Sequence, residues 1–285
     1  MRLGALIAPP LLALALAAPA AGAAADARIA ALQVALRANG VYDGTIDGLS
    51  GPQTEQAVRV IQARAKITVD GVVGPETRKA LGKLGRPGLG TRTLEIGMQG
   101  WDVASLQWRL AMQGFPSATF DGHFGSHTDA AVRRFQEWAG LEQDGVAGPA
   151  TTRALAKPPA TSPVALSPPL YVPYTDVFGP RGSRMHTGID FPVSMGTPVL
   201  SARAGIVTVT RWLPGYGNTV AIKHELGAST VYSHLSAILV RQGQRVAVGQ
   251  RIGRVGATGG AKGPHLHFEL RVRGAAIDPV FAFRS

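Results

Sequence analysis

The sequence predicts a multidomain protein in which two small all-α units of three helices each precede an all-β antiparallel domain. Three observations lead to this prediction: an internal duplication in the first half, a proline-rich segment after it, and a change to β-type patterning beyond that segment. The predicted boundaries are 1–25 for an export signal, 27–85 and 94–156 for the helical units, 157–170 for a linker and 171–285 for the β domain.

The first 25 residues have the pattern of a secretory signal peptide. Arg2 gives a positive start, the run Leu3–Ala18 is apolar, and small residues around Ala20 and Ala23 fit a cleavage site. The apolar run contains two prolines and is shorter than the roughly 20 residues of a spanning helix. We expect export to the periplasm or the extracellular cell wall, with no stable membrane insertion after cleavage. An uncleaved anchor is the alternative.

The chain is basic, with a formal net charge of +11. From Tyr171 onward there are 13 Lys and Arg against 5 Asp and Glu, whereas the first 170 residues hold 16 against 13. A basic surface favours polyanionic partners such as nucleic acid, anionic lipid or the acidic groups of a bacterial wall, and charge alone does not choose among them. The chain has no cysteine, which excludes disulfides, thiolate metal ligands and a cysteine nucleophile.

The helical half contains two copies of one pattern, 74 residues apart and without a gap. The matched positions are Asp47 with Asp121, Asp70 with Asp144, Leu32 with Leu106 and Gln33 with Gln107. In each copy, apolar residues at helical spacing predict a first helix, and an Asp-Gly stretch predicts a turn into a second. A Gly-Pro pair then predicts the start of a third helix, where the missing N–H of proline costs nothing.

These features resemble the peptidoglycan-binding domain found beside many wall hydrolases, over about 27–83 and 94–156. The resemblance implies a peptidoglycan partner, and a helical bundle without a ligand is the alternative. The second copy has the family's usual G-x-x-G-x-x-V opening at Gly97–Val103, which the first copy lacks. A shortened first helix is therefore expected in the first copy.

The segment Lys157–Pro169 contains five prolines, which predicts an extended, semi-rigid spacer. Beyond it, short β-rich runs are separated by Gly and Pro, and no amphipathic stretch has the length of a helix. The runs are Pro198–Leu200, Gly205–Val209, Thr219–Ile222, Thr230–Tyr232 and His267–Leu270. An antiparallel all-β domain is the natural interpretation.

Five of the seven histidines lie in this domain, and the HExxH pattern of helical zinc proteases is absent. His186 and Asp190 stand four residues apart, while His265 and His267 begin a predicted strand whose alternation places both imidazoles on one face. His234 follows a neighbouring strand. Imidazole and carboxylate suit zinc better than calcium or magnesium, and a catalytic zinc needs three protein ligands and one open position. Three of these side chains can therefore bind metal while two handle protons.

Four stretches of the β domain, taken in order, carry a specific resemblance. They are Phe178–Asp190 with H-x-G-x-D, Gly215–Asn218, Val231–Leu235 with Y-x-H-L, and Gly263–Glu269 with H-L-H. This set resembles the lysostaphin-like (LytM-type) zinc metallopeptidases over essentially all of 171–285. The resemblance implies a single Zn²⁺ held by His186, Asp190 and His267. It also implies that His234 and His265 contact the attacking water and stabilise the transition state.

Neighbouring side chains are candidates for supporting roles. Tyr216 and Asn218 lie in a Gly-rich loop and are candidates for substrate binding, with simple turn chemistry as the alternative. Glu269 shares a strand face with His267 and is a candidate for orienting that ligand. Arg181 is a candidate for meeting substrate carboxylates, with a solvated position as the alternative.

The sequence therefore predicts a secreted, monomeric, zinc-dependent endopeptidase that hydrolyses peptide bonds of peptidoglycan. Diamino-acid D,D cross-links, stem-peptide bonds and glycine bridges are all candidates for the scissile bond. A non-enzymatic wall-binding protein, or an activator of another hydrolase, is the alternative. Nucleic-acid binding would explain the charge but neither the export signal nor the ligand set.

Overall fold

The computed structural model describes residues 25–85 and 88–283. The predicted signal peptide falls on residues 1–25, so all but the last position of that prediction lies outside the described residues. Within the described part, no helix combines the length and the apolar character that crossing a lipid bilayer requires.

Six α-helices occupy the N-terminal half of the described chain, three in each repeat, as predicted. They are α1 (Ala27–Ala38), α2 (Pro52–Arg64), α3 (Pro75–Ala80), α4 (Trp101–Met112), α5 (Ser126–Ala139) and α6 (Pro149–Leu155). Helices α1 and α4 both have 12 residues, so the expectation of a shortened first helix was wrong. Asp26 caps α1 by accepting the backbone N–H of Arg28 at 2.7 Å, which starts the helix without the glycine-rich opening.

Each Asp-Gly turn of the repeats is fastened to a helix by a buried glutamine. In the second repeat, the side-chain amide of Gln107 donates to Asp121 Oδ1 (2.8 Å) and Thr128 Oγ1 (3.1 Å). The Gln107 oxygen accepts the N–H of Gly122 at 2.9 Å, and that glycine has a φ of +72°. Glycine is favoured there because L side chains rarely adopt a left-handed backbone. Equivalent arrangements are centred on Gln33, Gln62 and Gln136.

The two repeats share a hydrophobic core. Helix α1 packs against α4, and Trp101 and Trp108 of α4 lie in the same cluster as Ile46 of the first repeat. Ser105 Oγ also donates to the carbonyl oxygen of Ala27 at 3.2 Å. Domains of this size bury little apolar surface alone, so the shared core stabilises both repeats.

The proline-rich segment is not a free spacer along its whole length. Val164, Leu166 and Leu170 are buried in the core of the β domain. Leu166 also donates its N–H to the carbonyl oxygen of Ala282 at 2.7 Å. These apolar side chains dock because their burial is favourable, whereas the composition of the segment indicated only stiffness.

The β domain contains eleven strands in the described residues, and all of their pairings are antiparallel, as predicted. The strands are β1 (Gly179–Arg181), β2 (Arg184–His186), β3 (Ile189–Pro192), β4 (Pro198–Leu200), β5 (Gly205–Leu213), β6 (Gly217–Lys223), β7 (Ala228–Ile238), β8 (Arg245–Val246), β9 (Arg251–Val255), β10 (His265–Val272) and β11 (Ala275–Ile277). The five predicted runs lie in β4, β5, β6, β7 and β10.

Nine strands form one sheet with the order β11-β10-β7-β6-β5-β8, to which β3 is added on β10, β9 on β7 and β4 on β9. Strands β1 and β2 form a separate hairpin. Along β10, Leu266, Phe268 and Leu270 are fully buried in the core. Strand alternation therefore places His265 and His267 on the opposite face.

We expect Gln107→Leu to lower the free energy of unfolding by about 2–4 kcal/mol, because the substitution leaves buried donors and acceptors of the Asp121 turn without partners. Chemical denaturation followed by circular dichroism measures this loss. The control is Gln143→Leu, which changes an exposed glutamine of the same repeat. Equal denaturation midpoints for the two variants would contradict a stabilising role for the buried glutamine.

Candidate active site

Three predicted metal ligands converge where β2, β3 and β10 meet. Asp190 and His267 lie directly opposite each other in the register of β3 and β10, and His186 ends β2. Asp190 Oδ1 lies 2.8 Å from His267 Nδ1 and 3.1 Å from His186 Nε2, and the two imidazole nitrogens are 3.1 Å apart. All three side chains are buried, and their ligand atoms lie within 4.8 Å of one another.

Hydrogen bonds at the far side of each ring determine which nitrogen faces the centre. His186 Nδ1 lies 2.9 Å from the carbonyl oxygen of Val177. That oxygen can only accept, so Nδ1 carries the proton and Nε2 keeps its lone pair for the centre. His267 is turned the other way, because its Nε2 lies 3.1 Å from the carboxylate of Glu269 and its Nδ1 faces Asp190.

This donor set fits a zinc ion. Ligands about 2.0–2.1 Å from a tetrahedral zinc are separated by about 3.3 Å, close to the 2.8–3.1 Å spacing of the three ligand atoms. Two imidazoles and one carboxylate suit zinc, whereas calcium and magnesium prefer oxygen ligands throughout. Three protein ligands leave one position of a tetrahedron for a water or a substrate.

Buried charges of both signs meet at the candidate ligands. Burial opposes the charge of Asp190, but contacts with His186 and His267 hold the pKa of its carboxyl well below the usual range. Burial likewise opposes a charge on His267, yet Asp190 and Glu269 raise the pKa of its imidazole to about 9. The His267 imidazole therefore holds a proton that a bound metal cation would replace.

Glu269 is the centre of a buried network behind His267. Its carboxylate is fully buried and accepts hydrogen bonds from Thr187 Oγ1 at 2.5 Å and from the Tyr216 hydroxyl at 2.9 Å. Arg271 binds the second carboxylate oxygen at 2.6 Å. Although burial disfavours the charge, Arg271 and His267 lower the pKa of Glu269 below its usual range. This arrangement supports the sequence-based hypothesis that Glu269 orients His267.

The sequence interpretation missed Arg271, although a signal for it was present. His265, His267, Glu269 and Arg271 stand two residues apart along β10 and so share one face of the strand. A buried carboxylate two residues after a ligand needs a cationic partner, and Arg271 is the next residue on that face.

His234 and His265 form a second pair beside the metal ligands. Their ring centres are 4.6 Å apart, and the His234 ring centre lies 6.0 Å from that of His267. Each Nδ1 donates to a backbone carbonyl oxygen, that of Thr258 at 2.7 Å for His234 and that of Gly263 at 2.8 Å for His265. Both Nε2 atoms are therefore left as acceptors that can take a proton.

The backbone of His234 is held in an uncommon conformation. Its φ is +62°, a left-handed value that is unusual for a residue other than glycine and that often occurs at functional sites. Its N–H donates to the carbonyl oxygen of Tyr216 at 2.8 Å, which helps to hold this conformation. Burial lowers the pKa of the His234 imidazole, which favours its neutral, proton-accepting form.

All five predicted site residues line one open cleft with a volume of about 920 Å³. Tyr216 lines it too, with its hydroxyl bound to Glu269. Asn218 is placed differently, because its side-chain amide donates to the carbonyl oxygen of Leu235 at 3.1 Å and it is absent from the lining of the cleft. A substrate-binding role for Asn218 stays a prediction. Arg181, Arg184 and Lys262 add positive charge to the walls.

His224, the remaining histidine of the β domain, lies outside the cleft. Its ring nitrogens contact the carbonyl oxygen of Ala204 (2.9 Å) and the Thr230 hydroxyl (2.8 Å). Both nitrogens are satisfied within the fold.

Comparison with protein families assigns both halves of the chain. Residues 184–279 match the family model described as "Peptidase family M23". Residues 25–81 and 99–155 match the model described as "Putative peptidoglycan binding domain".

Three similar proteins illustrate the match. The DD-carboxypeptidase/endopeptidase Mpg of Neisseria meningitidis serogroup B is 44% identical over 116 residues, which cover 38% of this chain and 27% of that protein. The peptidoglycan DD-endopeptidase ShyA of Vibrio cholerae is 50% identical over 97 residues, covering 34% and 23% respectively. The crystal structure of a zinc containing peptidase from Vibrio cholerae is 40% identical, covers 40% of this chain and 39% of that chain, and has a TM-score of 0.39.

The chain spans about a quarter of the length of these curated relatives. The three candidate ligands all lie within residues 184–279, the segment that matches the peptidase family model. This chain thus contains a domain that matches peptidase family M23, preceded by two that match the putative peptidoglycan binding domain.

Proposed function

We propose that this protein is a secreted zinc-dependent endopeptidase that hydrolyses peptide bonds in bacterial peptidoglycan. In this proposal His186, Asp190 and His267 bind the zinc ion, and His234 and His265 are the catalytic pair. The two repeats attach the enzyme to the wall.

One observation carries the proposal: a buried N,N,O ligand set lies in one open cleft with two imidazoles whose Nε2 atoms have no hydrogen-bond partner among the described residues. A purely structural cluster would satisfy its polar atoms internally, as His224 does. Here the polar atoms converge on a space that a metal ion, a water and a peptide can share.

The bound zinc ion would polarise the scissile carbonyl and lower the pKa of a water molecule. The remaining chemistry belongs to this chain. One of the two imidazoles of His234 and His265 accepts the proton of the attacking water at Nε2, and that proton later passes to the leaving amine. Before that transfer, the Nε2–H formed on the base donates a hydrogen bond to the oxyanion that develops from the carbonyl oxygen. Either histidine can act as the base.

The substrate follows from the repeats and from the cleft. Peptidoglycan-binding domains beside a peptidase domain bring the enzyme to wall peptides, and Arg184 and Lys262 suit the carboxylates that such peptides carry. One relative is named as a peptidoglycan DD-endopeptidase and another as a DD-carboxypeptidase/endopeptidase, so the D,D cross-link is the first bond to test. We place the enzyme in the periplasm or the extracellular wall, and expect it to act as a monomer.

A wall-binding protein without activity, or an activator of another hydrolase, is the competing function. The intact site argues against it, because all three candidate ligands and both candidate catalytic histidines are present and line one cleft.

The ligand assignment predicts that the purified chain binds one zinc ion and that His267→Ala weakens zinc binding by more than the 10–100-fold that loss of an outer partner costs. Elemental analysis and chelator competition measure both quantities. The control is His224→Ala, which removes a buried histidine outside the cleft and leaves the ligands in place. Full zinc occupancy in His267→Ala would refute the assignment.

The network behind His267 predicts that Glu269→Gln weakens zinc binding about 10–100-fold, because the amide cannot match the negative charge that fixes the His267 ring. Chelator competition at constant pH measures the change. Glu225→Gln removes one charge from an exposed carboxylate of the same domain and is the matched control. Unchanged affinity in Glu269→Gln would show that Glu269 has only a packing role.

The catalytic pair predicts that His234→Ala and His265→Ala each lower the rate of peptidoglycan hydrolysis about 10²–10⁴-fold while zinc stays bound. Release of soluble fragments from purified sacculi, analysed by mass spectrometry, measures the rate and identifies the bond cut. If the His234→Ala variant digested sacculi at the wild-type rate, His234 would have no catalytic role. Failure of the wild-type chain to digest any sacculus would favour the non-enzymatic alternative.

A further inference from the structure

The hairpin that ends in a metal ligand is held at its tip by both repeats. Strands β1 and β2 join at Gly182 and Ser183, and the carbonyl oxygens of these two residues accept backbone N–H groups from different repeats. Ile46 donates to Gly182 at 2.9 Å, and Phe120 donates to Ser183 at 2.8 Å. The hairpin tip therefore lies between the repeats.

The two repeats hold the hairpin with equivalent residues. Ile46 and Phe120 are separated by the same 74 positions that relate the two copies, and both precede an Asp-Gly turn. Both side chains are buried, with 0% and 2% of their surfaces exposed, so the donating backbone is firmly anchored. Thr119 and Arg184 add an antiparallel bridge on the second repeat's side. The duplication thus supplies two matching donors for adjacent carbonyl oxygens.

Further contacts fix the repeats against the β domain. Met185 of the hairpin packs against the core shared by the repeats. Away from the hairpin, Ala276 of β11 donates its N–H to the carbonyl oxygen of Gly114 in the second repeat at 3.1 Å. The guanidinium of Arg273 lies 5.1 Å from the ring centre of Trp138 in the second repeat.

The base of the same hairpin forms part of the metal site. Gly179 pairs with His186 across the hairpin, and Arg181 contacts Asp176 at 2.7 Å and Asp190 Oδ2 at 3.5 Å. The hairpin therefore carries one metal ligand and a cation beside another, and both line the cleft.

Strands β1 and β2 have three residues each and are not part of the nine-stranded sheet. A two-stranded hairpin is at best marginally stable in water, so its order depends on what it contacts. We propose that the two repeats position this hairpin and thereby complete the wall and the ligand set of the peptidase cleft. This role rests on the proposed function and adds to it, because the repeats then support the active site as well as wall attachment.

The position of the repeats indicates that they support the peptidase cleft and do not block it. Every cleft-lining residue in the described chain lies between Thr175 and His267, so the cleft stays open while the repeats are docked. Separating the repeats from the β domain should therefore loosen the site rather than activate it.

A single methyl group can test this coupling in the full-length chain. A Cβ on Gly114 would lie 2.6 Å from the backbone nitrogen of Ala276, which forces the second repeat away from β11. Gly140 is the matched control, because it also follows a helix of the second repeat with a left-handed φ (+70° against +86°) but has open space at its Cβ position. Both substitutions to alanine carry similar backbone strain, and only one perturbs docking.

We expect Gly114→Ala to increase amide hydrogen exchange across residues 179–186 in the zinc-free protein and to weaken zinc binding about tenfold. Hydrolysis of a short soluble cross-linked peptide, which needs no wall attachment, should fall in parallel. Gly140→Ala should match the wild type in all three measurements. Equal exchange and zinc affinity in the two variants would overturn the inference.

An engineered disulfide provides a second test of the contact between the repeats and the hairpin, and this test does not depend on Gly114. Thr119 and Arg184 face each other in an antiparallel bridge, whose Cα separation of about 4.5–5.5 Å suits a disulfide. Because the chain has no cysteine, Thr119→Cys combined with Arg184→Cys can form only this intramolecular disulfide. The oxidised and reduced forms of the one protein can be compared directly, with a phosphine reductant that spares zinc.

We expect the oxidised form to keep the zinc affinity of its reduced form, and to restore hairpin protection when combined with Gly114→Ala. Loss of zinc affinity on oxidation that reduction reverses would show that the repeats must leave the hairpin, which overturns the inference. A wild-type chain with a protected hairpin and bound zinc that cleaves no peptide would refute the proposed function alone.

Discussion

The pairing of β3 with β10 is the constraint on which the site depends. It sets Asp190 opposite His267, so that a carboxylate oxygen and an imidazole nitrogen meet at 2.8 Å without any contribution from loop conformation. A slip of one residue would turn His267 toward the core and Phe268 toward the cleft, because successive strand residues face opposite sides. The burial of Leu266, Phe268 and Leu270 excludes that slip. Hydrophobic packing on one face of β10 thus determines the ligand geometry on the other.

A second layer of hydrogen bonds determines what each imidazole can do. His186, His234 and His265 each donate Nδ1–H to a backbone carbonyl oxygen, which leaves Nε2 directed to the site. His267 reverses this pattern because Glu269 takes its Nε2 proton, so Nδ1 faces the centre. Three rings are therefore oriented by the backbone, and one is oriented by a buried carboxylate that itself needs Arg271.

The repeats illustrate how small helical domains without disulfides reach a defined structure. The buried glutamines fasten the Asp-Gly turns to the helices, and the shared core of α1 and α4 supplies apolar burial that neither repeat holds alone. The same duplication places Ile46 and Phe120 on neighbouring carbonyl oxygens of the β1–β2 hairpin. A rigid pair of repeats is thereby in contact with an element that carries a metal ligand.

The sequence by itself determined the duplication, the helices and the antiparallel β class, and its motifs pointed to five residues that the fold brings into one cleft. These features are local or periodic: a 74-residue spacing, Gly-Pro helix starts and strand alternation are all visible along the chain. Only the tertiary structure decided that the proline-rich segment docks through Leu166, that Arg271 balances Glu269, and that both repeats contact one hairpin. Docking of this kind depends on backbone groups and on residues far apart in sequence. Apart from proline, which lacks the N–H, every residue carries the same backbone N–H and C=O groups, so a sequence pattern cannot indicate which of them will meet.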